Sequence, residues 1–164
     1  MKSTSGYTEK TKPVALRQAR QKREKDFGKE GFGMSNTDDT GDNHARRQAN
    51  PRRVLVCGGR DFNDWDWMNE TLTFYAFGAS VIIHGGARGA DKLAGDWARA
   101  SGTRCEVFPA HWQLHGRRAG PIRNQQMIDE GKPDLVIAFP GGNGTADMVK
   151  RAVKAGIELV QPFA

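Results

Sequence analysis

Three short apolar runs, VLVC at 54–57, VIIH at 81–84 and LVIAF at 135–139, each end in a glycine cluster. Runs of this length, apolar at nearly every position, read as strands buried on both faces of a parallel sheet. The clusters are Gly58-Gly59-Arg60-Asp61, Gly85-Gly86-Ala87-Arg88-Gly89-Ala90-Asp91 and Pro140-Gly141-Gly142-Asn143-Gly144-Thr145. The second and third each open a helical pattern. Strand, glycine turn and helix start is the arrangement by which α/β proteins hold phosphates. Glycine lets the backbone approach an anion, and the free N–H groups and dipole of a helix N-terminus favour negative charge. Three such turns at the carboxyl ends of separate strands predict one phosphate-lined crevice.

The rest of the folded sequence continues the alternation. The pattern predicts strands at Arg53–Cys57, Ser80–His84, Cys105–Phe108, Asp134–Phe139 and Ile157–Val160. Between them it predicts helices from Asp64, as cap, to about Phe77, from Ala90 to Ser101, from Pro121 to Asp129 and from Thr145 to Ala155. The segment PAHWQLHGRRAGP is too rich in Gly, Pro and His to be a regular element. Strands alternating with helices predict a three-layer α/β fold on a mostly parallel sheet of about five strands.

Residues 1–50 differ in kind. They hold 11 of the 25 Lys/Arg and 7 of the 19 Asp/Glu, a net of +4, against +2 for the remainder. Almost no aliphatic residue interrupts them. Such a stretch cannot bury enough apolar surface to offset its ordering entropy, so a disordered basic tail is expected before a domain at 51–164. The tail is either a solvated, mixed-charge leader or a contact for nucleic acid or an acidic partner, and a transient basic helix at 13–26 has too thin an apolar face to be counted on. No apolar run approaches the ~20 residues of a membrane span, and no secretory h-region opens the chain. A soluble cytoplasmic protein without a membrane partner is therefore expected, with Cys57 and Cys105 as buried free thiols.

Side chains around the glycine turns supply the candidate site. Arg60, Arg88 and Arg123 can neutralise a phosphate or carboxylate. Asp61 either accepts from a ribose hydroxyl or closes an Asx turn. Asp91 either caps its helix or meets the ligand. Asn124 can bond a base or sugar edge, and Trp112 either stacks on a base, forms a lid or packs in the core. The candidate ligand-binding backbone is Gly58, Gly59, Gly85, Gly86, Ala87, Pro140, Gly141, Gly142, Asn143, Gly144 and Thr145. His111 and His115 lack a third ligand nearby, so no metal site is expected, and no resident cofactor is. The first turn lacks the G-x-G-x-x-G spacing of dinucleotide dehydrogenases, and no P-loop or G-x-S-x-G elbow occurs.

The ordered set GGRDF, HGGARGAD, PAxW, AGPIRNxxM and FPGGNGT resembles the YspA-like, cpYpsA-related branch of the SLOG superfamily over about residues 53–163. That resemblance implies a Rossmann-like fold binding nucleotides or nucleotide-derived ligands, and commonly a homo-oligomer. The superfamily includes LOG phosphoribohydrolases, DprA/Smf single-strand DNA-binding proteins, and sensor domains for NAD- or ADP-ribose-like signals. The LOG motif PGGxGTxxE matches Pro140, Gly141, Gly142, Gly144 and Thr145, but its glutamate falls on Met148. The LOG arginine falls on Arg123, with Met127 after it. Asp147 is the nearest carboxylate, about 100° further round a helix.

The leading expectation is a sensor or sequestering protein for a nucleotide-derived ligand such as a nucleoside monophosphate, ADP-ribose or an NAD-like molecule. The alternatives are a hydrolase of an N-glycosidic or phosphoribosyl bond, with Arg123 and Asp147 as catalytic groups, and DprA-like nucleic-acid binding. For assembly, Trp65, Trp67 and Trp97 are either interface residues or core.

Overall fold

The computed structural model describes residues 51–162. The tail expected at 1–50, its basic helix and its nucleic-acid contact lie outside the described residues. Five strands form one sheet: β1 (Arg53–Cys57), β2 (Val81–His84), β3 (Arg104–Val107), β4 (Leu135–Ala138) and β5 (Glu158–Val160). Their order is β3-β2-β1-β4-β5, and every pairing is parallel. The chain thus leaves β1 in one direction toward β2 and β3, then returns to the other side of β1 for β4 and β5. The loops after β1 and β4 diverge at this reversal, which opens a crevice at the strands' carboxyl ends.

Alternation of side chains along the strands builds two cores. Val54, Val56, Ile82, Leu135 and Ile137 face α1 (Trp65–Tyr75) and α2 (Ala90–Ala100), meeting Met68, Leu72, Ala94 and Trp97. Leu55, Cys57, Ile83, Val136 and Ala138 face the opposite side. There they meet Met127 of α4 (Ala119–Asp129) and Met148 and Ala152 of α5 (Asn143–Lys154). The three central strands are buried along nearly their whole length, which is why their sequences are almost continuously apolar.

Asp64 caps α1 as expected, its Oδ1 accepting from the Trp67 amide at 2.8 Å. Trp67 packs against Phe62 and Phe139, with ring centroids 5.7 and 6.1 Å away. This aromatic cluster braces the first glycine loop from below.

Three expectations need correction, and the alternatives left open for the tryptophans are decided. The segment after β3 is regular in part: α3 (Trp112–His115) is followed by a 3-10 turn at Gly116–Arg118. It is short because Pro109 and Gly116 bound it. α4 begins at Ala119, and Pro121 occupies its first turn, where no intrahelical donor is lost. Cys105 is exposed, because β3 is an edge strand that α2 covers only in part. Trp67 and Trp97 are core residues and present no interface, whereas Trp65 is exposed. Among the described residues, no helix is long and apolar enough to cross a membrane.

Candidate functional site

Two adjoining cavities occupy the crevice. One, of about 530 Å³, is lined by the loop after β1, by α4 and by the first turn of α5. The other, of about 740 Å³, lies between the loop after β2 and the segment before α3. They share Arg60, Ala87, Trp112 and Arg123 in their walls.

The three glycine turns, alike in sequence, differ in what their amides do. In the first, Gly59 donates to the Pro140 carbonyl at 2.7 Å, and its own carbonyl accepts from Ala90 at 3.1 Å. This residue therefore pins the β1, β2 and β4 loops together. Gly89 has φ +82°, and a Cβ there would overlap the backbone of Gly59 and Arg60. Only glycine meets both requirements.

In the second turn, Gly85 and Ala87 donate to Oδ2 of Asp91, at 3.1 and 3.2 Å, while Gly86 donates to Nδ1 of His84 at 3.0 Å. The Asp91 carboxylate thus takes up the amides expected to cradle a phosphate. Asp91 is buried, and its helix has no side-chain cap. Burial pushes its carboxyl above the ordinary value, against the Ala87 amide, Arg123, His84 and the Gly85 amide. Burial likewise lowers the pKa of His84, consistent with a neutral ring accepting a hydrogen bond.

The third turn remains open. The first N–H groups of a helix have no intrahelical partner, and the N-cap Gly142 supplies no side chain. Among the described residues, no protein group accepts from the amides of Asn143, Gly144 and Thr145. All three residues line the smaller cavity, together with Arg60, Arg117 and Arg123. A helix start in this state favours an anion.

Arg123 stands between the cavities. Its Nη1 donates to the Gly85 carbonyl at 2.6 Å, its Nε donates to Oδ1 of Asn124 at 3.2 Å, and Asp91 lies 3.9 Å away. Burial lowers its pKa, with the Asp91 carboxylate opposing. Asn124 is itself buried and committed: its Nδ2 donates to the Gly144 carbonyl at 3.0 Å and to Asp147 at 2.9 Å. It ties α4 to the start of α5 and orients Arg123, so its amide is not free for a base edge.

Asp147 lines the smaller cavity, but Arg151 binds both its oxygens, at 2.8 and 3.2 Å. Burial raises its pKa, yet the hydrogen bonds from Arg151 and Asn124 outweigh this and hold it below the ordinary value. It is a fixed carboxylate, suited to electrostatic support rather than to proton donation. Met148, the position of the LOG glutamate, is fully buried in the second core and lines neither cavity.

At the mouth, Trp112 is half-exposed and the Arg60 guanidinium lies 5.5 Å from its ring centroid. Trp112 is therefore not a core residue. Asp61 pairs with Arg88 at 3.0 Å in solvent. Gly58 and Cys57 form part of the cavity wall; burial and the Asp91 charge push the Cys57 thiol up to about 12. His111 precedes α3 and His115 ends it, and no cluster of three metal-ligating side chains exists among the described residues. Arg117, on the 3-10 turn before α4, also lines the cavity. The bridging role of Asn124 has no signal in one sequence, because it depends on α4 and α5 packing together.

A solved structure, the Moco carrier protein from Chlamydomonas reinhardtii, matches with a TM-score of 0.47 and 15% identity, covering 68% of this chain and 76% of that one. Values this low carry no inference about a ligand. The Gene 61 protein of Mycobacterium phage D29 is 40% identical over 120 residues, which span 66% of this chain and 94% of that protein. The sequence model of the YspA, cpYpsA-related SLOG family matches residues 52–115, from β1 to the end of α3. Two of the glycine turns fall within that match, and a relative covered almost end to end extends the likeness, so the chain belongs to the YspA, cpYpsA-related SLOG family.

Proposed function

We propose that this protein binds a nucleotide-derived small ligand, with one phosphate seated on the first turn of α5, and acts as a sensor or sequestering protein. The observation that supports this is the open set of amides at Asn143, Gly144 and Thr145, facing a cavity that Arg60, Arg117 and Arg123 line. Trp112 supplies a planar, half-exposed face for a base. The Gly85–Gly89 turn takes part as wall rather than as phosphate cradle, since Asp91 and His84 hold its amides. A homo-oligomer is part of the same proposal, with exposed Trp65 and Phe77 as contact residues, checked by light scattering.

A thermal-shift panel on the full chain tests this, using AMP, ADP-ribose, NAD and cyclic nucleotides, with mass spectrometry of each mixture afterwards. A ligand near 100 times its dissociation constant adds about 2.7 kcal/mol. A raised melting temperature with the ligand recovered intact supports binding without turnover. No shift with any compound contradicts the proposal.

Hydrolysis of an N-glycosidic bond is the second reading, favoured by the place of Asp147 beside the same amides. An oxocarbenium-like transition state gains from a fixed carboxylate. Against it stand the two bonds from Arg151 and the burial of Met148. Release of free base or ribose phosphate by the wild-type protein, lost in Asp147→Asn, would establish it.

A further inference from the structure

We infer that residues 109–118 form a strap at the mouth of the crevice, and that an anion seated on the first turn of α5 draws this strap shut through Arg117. This rests on the phosphate seat proposed above.

The segment is fixed at both ends and loosely held between them. Before it, Phe108 donates its amide to the His84 carbonyl at 2.9 Å, which ties the chain to the sheet. After it, Ala119 is buried at the start of α4. None of residues 112–118 is buried. Backbone bonds close inside the segment: Trp112 donates to Ala110 at 3.1 Å, and Leu114 and His115 donate to His111 at 3.1 and 3.0 Å. Among the described residues, no side chain from 109 to 118 makes a hydrogen bond or an ion pair. Few buried contacts and solvent-exposed backbone bonds are the conditions under which a segment opens locally.

Trp112 fastens the segment to the crevice. Its ring centroid stands 5.5 Å from the Arg60 guanidinium, and its edge faces Gly120, where a Cβ would lie 3.5 Å from Cη2. A cation–π contact at an exposed site is weak, so it holds the strap in place without locking it. Gly116, at φ +50°, separates α3 from Arg117 and, lacking a Cβ, tolerates a change of backbone angles there.

Arg117 supplies the force. It lines the smaller cavity together with Asn143, Gly144 and Thr145, and Arg60 and Arg123 share that wall. Like charges oppose one another's approach. The carboxylates of the wall are engaged elsewhere: Asp91 by the amides of Gly85 and Ala87, and Asp147 by Arg151 and Asn124. A phosphoryl group on the α5 amides reverses the sign of the force on Arg117, whose guanidinium then donates to it. The strap follows because Arg117 belongs to it, and Trp112 moves with it. A ligand shifts such an equilibrium only by binding one state better than the other, and the added bond to Arg117 is that difference.

Hydrogen exchange of the full chain, followed amide by amide by NMR, tests this with inorganic phosphate and with AMP. Without either compound, the amides of 112–118 should exchange roughly a hundredfold faster than those of 123–127 in α4. Millimolar phosphate should shift the resonances of Asn143, Gly144 and Thr145 and slow exchange at 112–118 by roughly tenfold, the worth of one charged hydrogen bond. Arg117→Ala should keep the shifts at 143–145, at higher phosphate concentration, and lose the slowing. Arg117 is exposed, so the substitution does not endanger the fold. Strap amides as protected as those of α4 in the free protein would overturn the strap and leave the phosphate seat standing. So would an absence of slowing once the shifts at 143–145 saturate, or full slowing in Arg117→Ala. No shift at 143–145 with either compound would overturn the two together.

Discussion

The guanidinium of Arg123 fills the space that a side chain at residue 85 would occupy. Its Nη1 donates to the Gly85 carbonyl at 2.6 Å, and a Cβ on Gly85 would overlap it. The glycine turn after β2 and the arginine of α4 are therefore one structural unit, and the wall between the cavities depends on both.

Gly85→Ala should expel Arg123 from this position. Losing a charged hydrogen bond in a buried setting costs about 2 kcal/mol, a fall in Tm of roughly 10 °C. The double variant with Arg123→Ala should be less destabilised than the sum of the single ones, because the clash is gone. Additive losses, measured by urea unfolding, would mean that the two residues do not share this space. Gly144→Ala is the contrasting case. Nothing lies within 4 Å of a Cβ there, and the residue is helical, so stability should rise by up to about 1 kcal/mol.

The two site aspartates should give opposite slopes of stability against pH. Burial raises the folded pKa of Asp91 above its unfolded value. Its contribution is thus fully present below about pH 4 and is lost as pH rises through the folded pKa. Asp91→Asn should gain on the wild type over that window. Asp147 is depressed, so its contribution is present above about pH 4 and lost as pH falls through the folded pKa. Asp147→Asn should therefore cost most near neutrality and least in acid. Parallel Tm–pH curves for wild type and both variants would refute these assignments.

Thiol alkylation should distinguish the cysteines. Cys105 is exposed on edge strand β3, whereas Cys57 is buried with its pKa pushed up to about 12. Iodoacetamide at pH 8 should give one adduct, at Cys105, by peptide mapping of the native protein. Rapid modification of Cys57 would contradict its place under the cleft floor.

Met148→Glu should destabilise the protein by several kcal/mol rather than install a catalytic carboxylate. Position 148 is on α5, fully buried in the core cluster that includes Leu55, Val136 and Ala152. A soluble variant with wild-type Tm would show that α5 can turn this position toward the cleft.

Much of this was legible before the fold was known. VLVC, VIIH and LVIA lie in buried central strands, so their apolar continuity marks them directly. Asp64 is a local capping signal, and local signals survive folding, whereas the last helix, read from Thr145, begins two residues earlier at Asn143. What escaped depends on contacts between distant segments. GGRD, GGARGA and PGGNG look alike as strings, yet the amides of Gly59, Gly85, Gly86 and Ala87 are bonded within the protein, whereas among the described residues those of Asn143, Gly144 and Thr145 are not. Asp91 and His84 fill the second turn, and Pro140 and Ala90 engage the first. Cys105 reads as core by composition and is exposed because β3 lies at the sheet edge. WQLH forms a helical turn against α4 despite the Gly and Pro around it.

The most direct measurement is an amide NMR titration of the full chain with AMP. A phosphate on the start of α5 should shift the resonances of Asn143, Gly144 and Thr145 most. The amides of Gly59, Gly85, Gly86 and Ala87, already bonded within the protein, should move less. Saturable shifts centred on 143–145 would bear out the phosphate seat. Shifts confined to other residues, or none at AMP concentrations in the millimolar range, would contradict it.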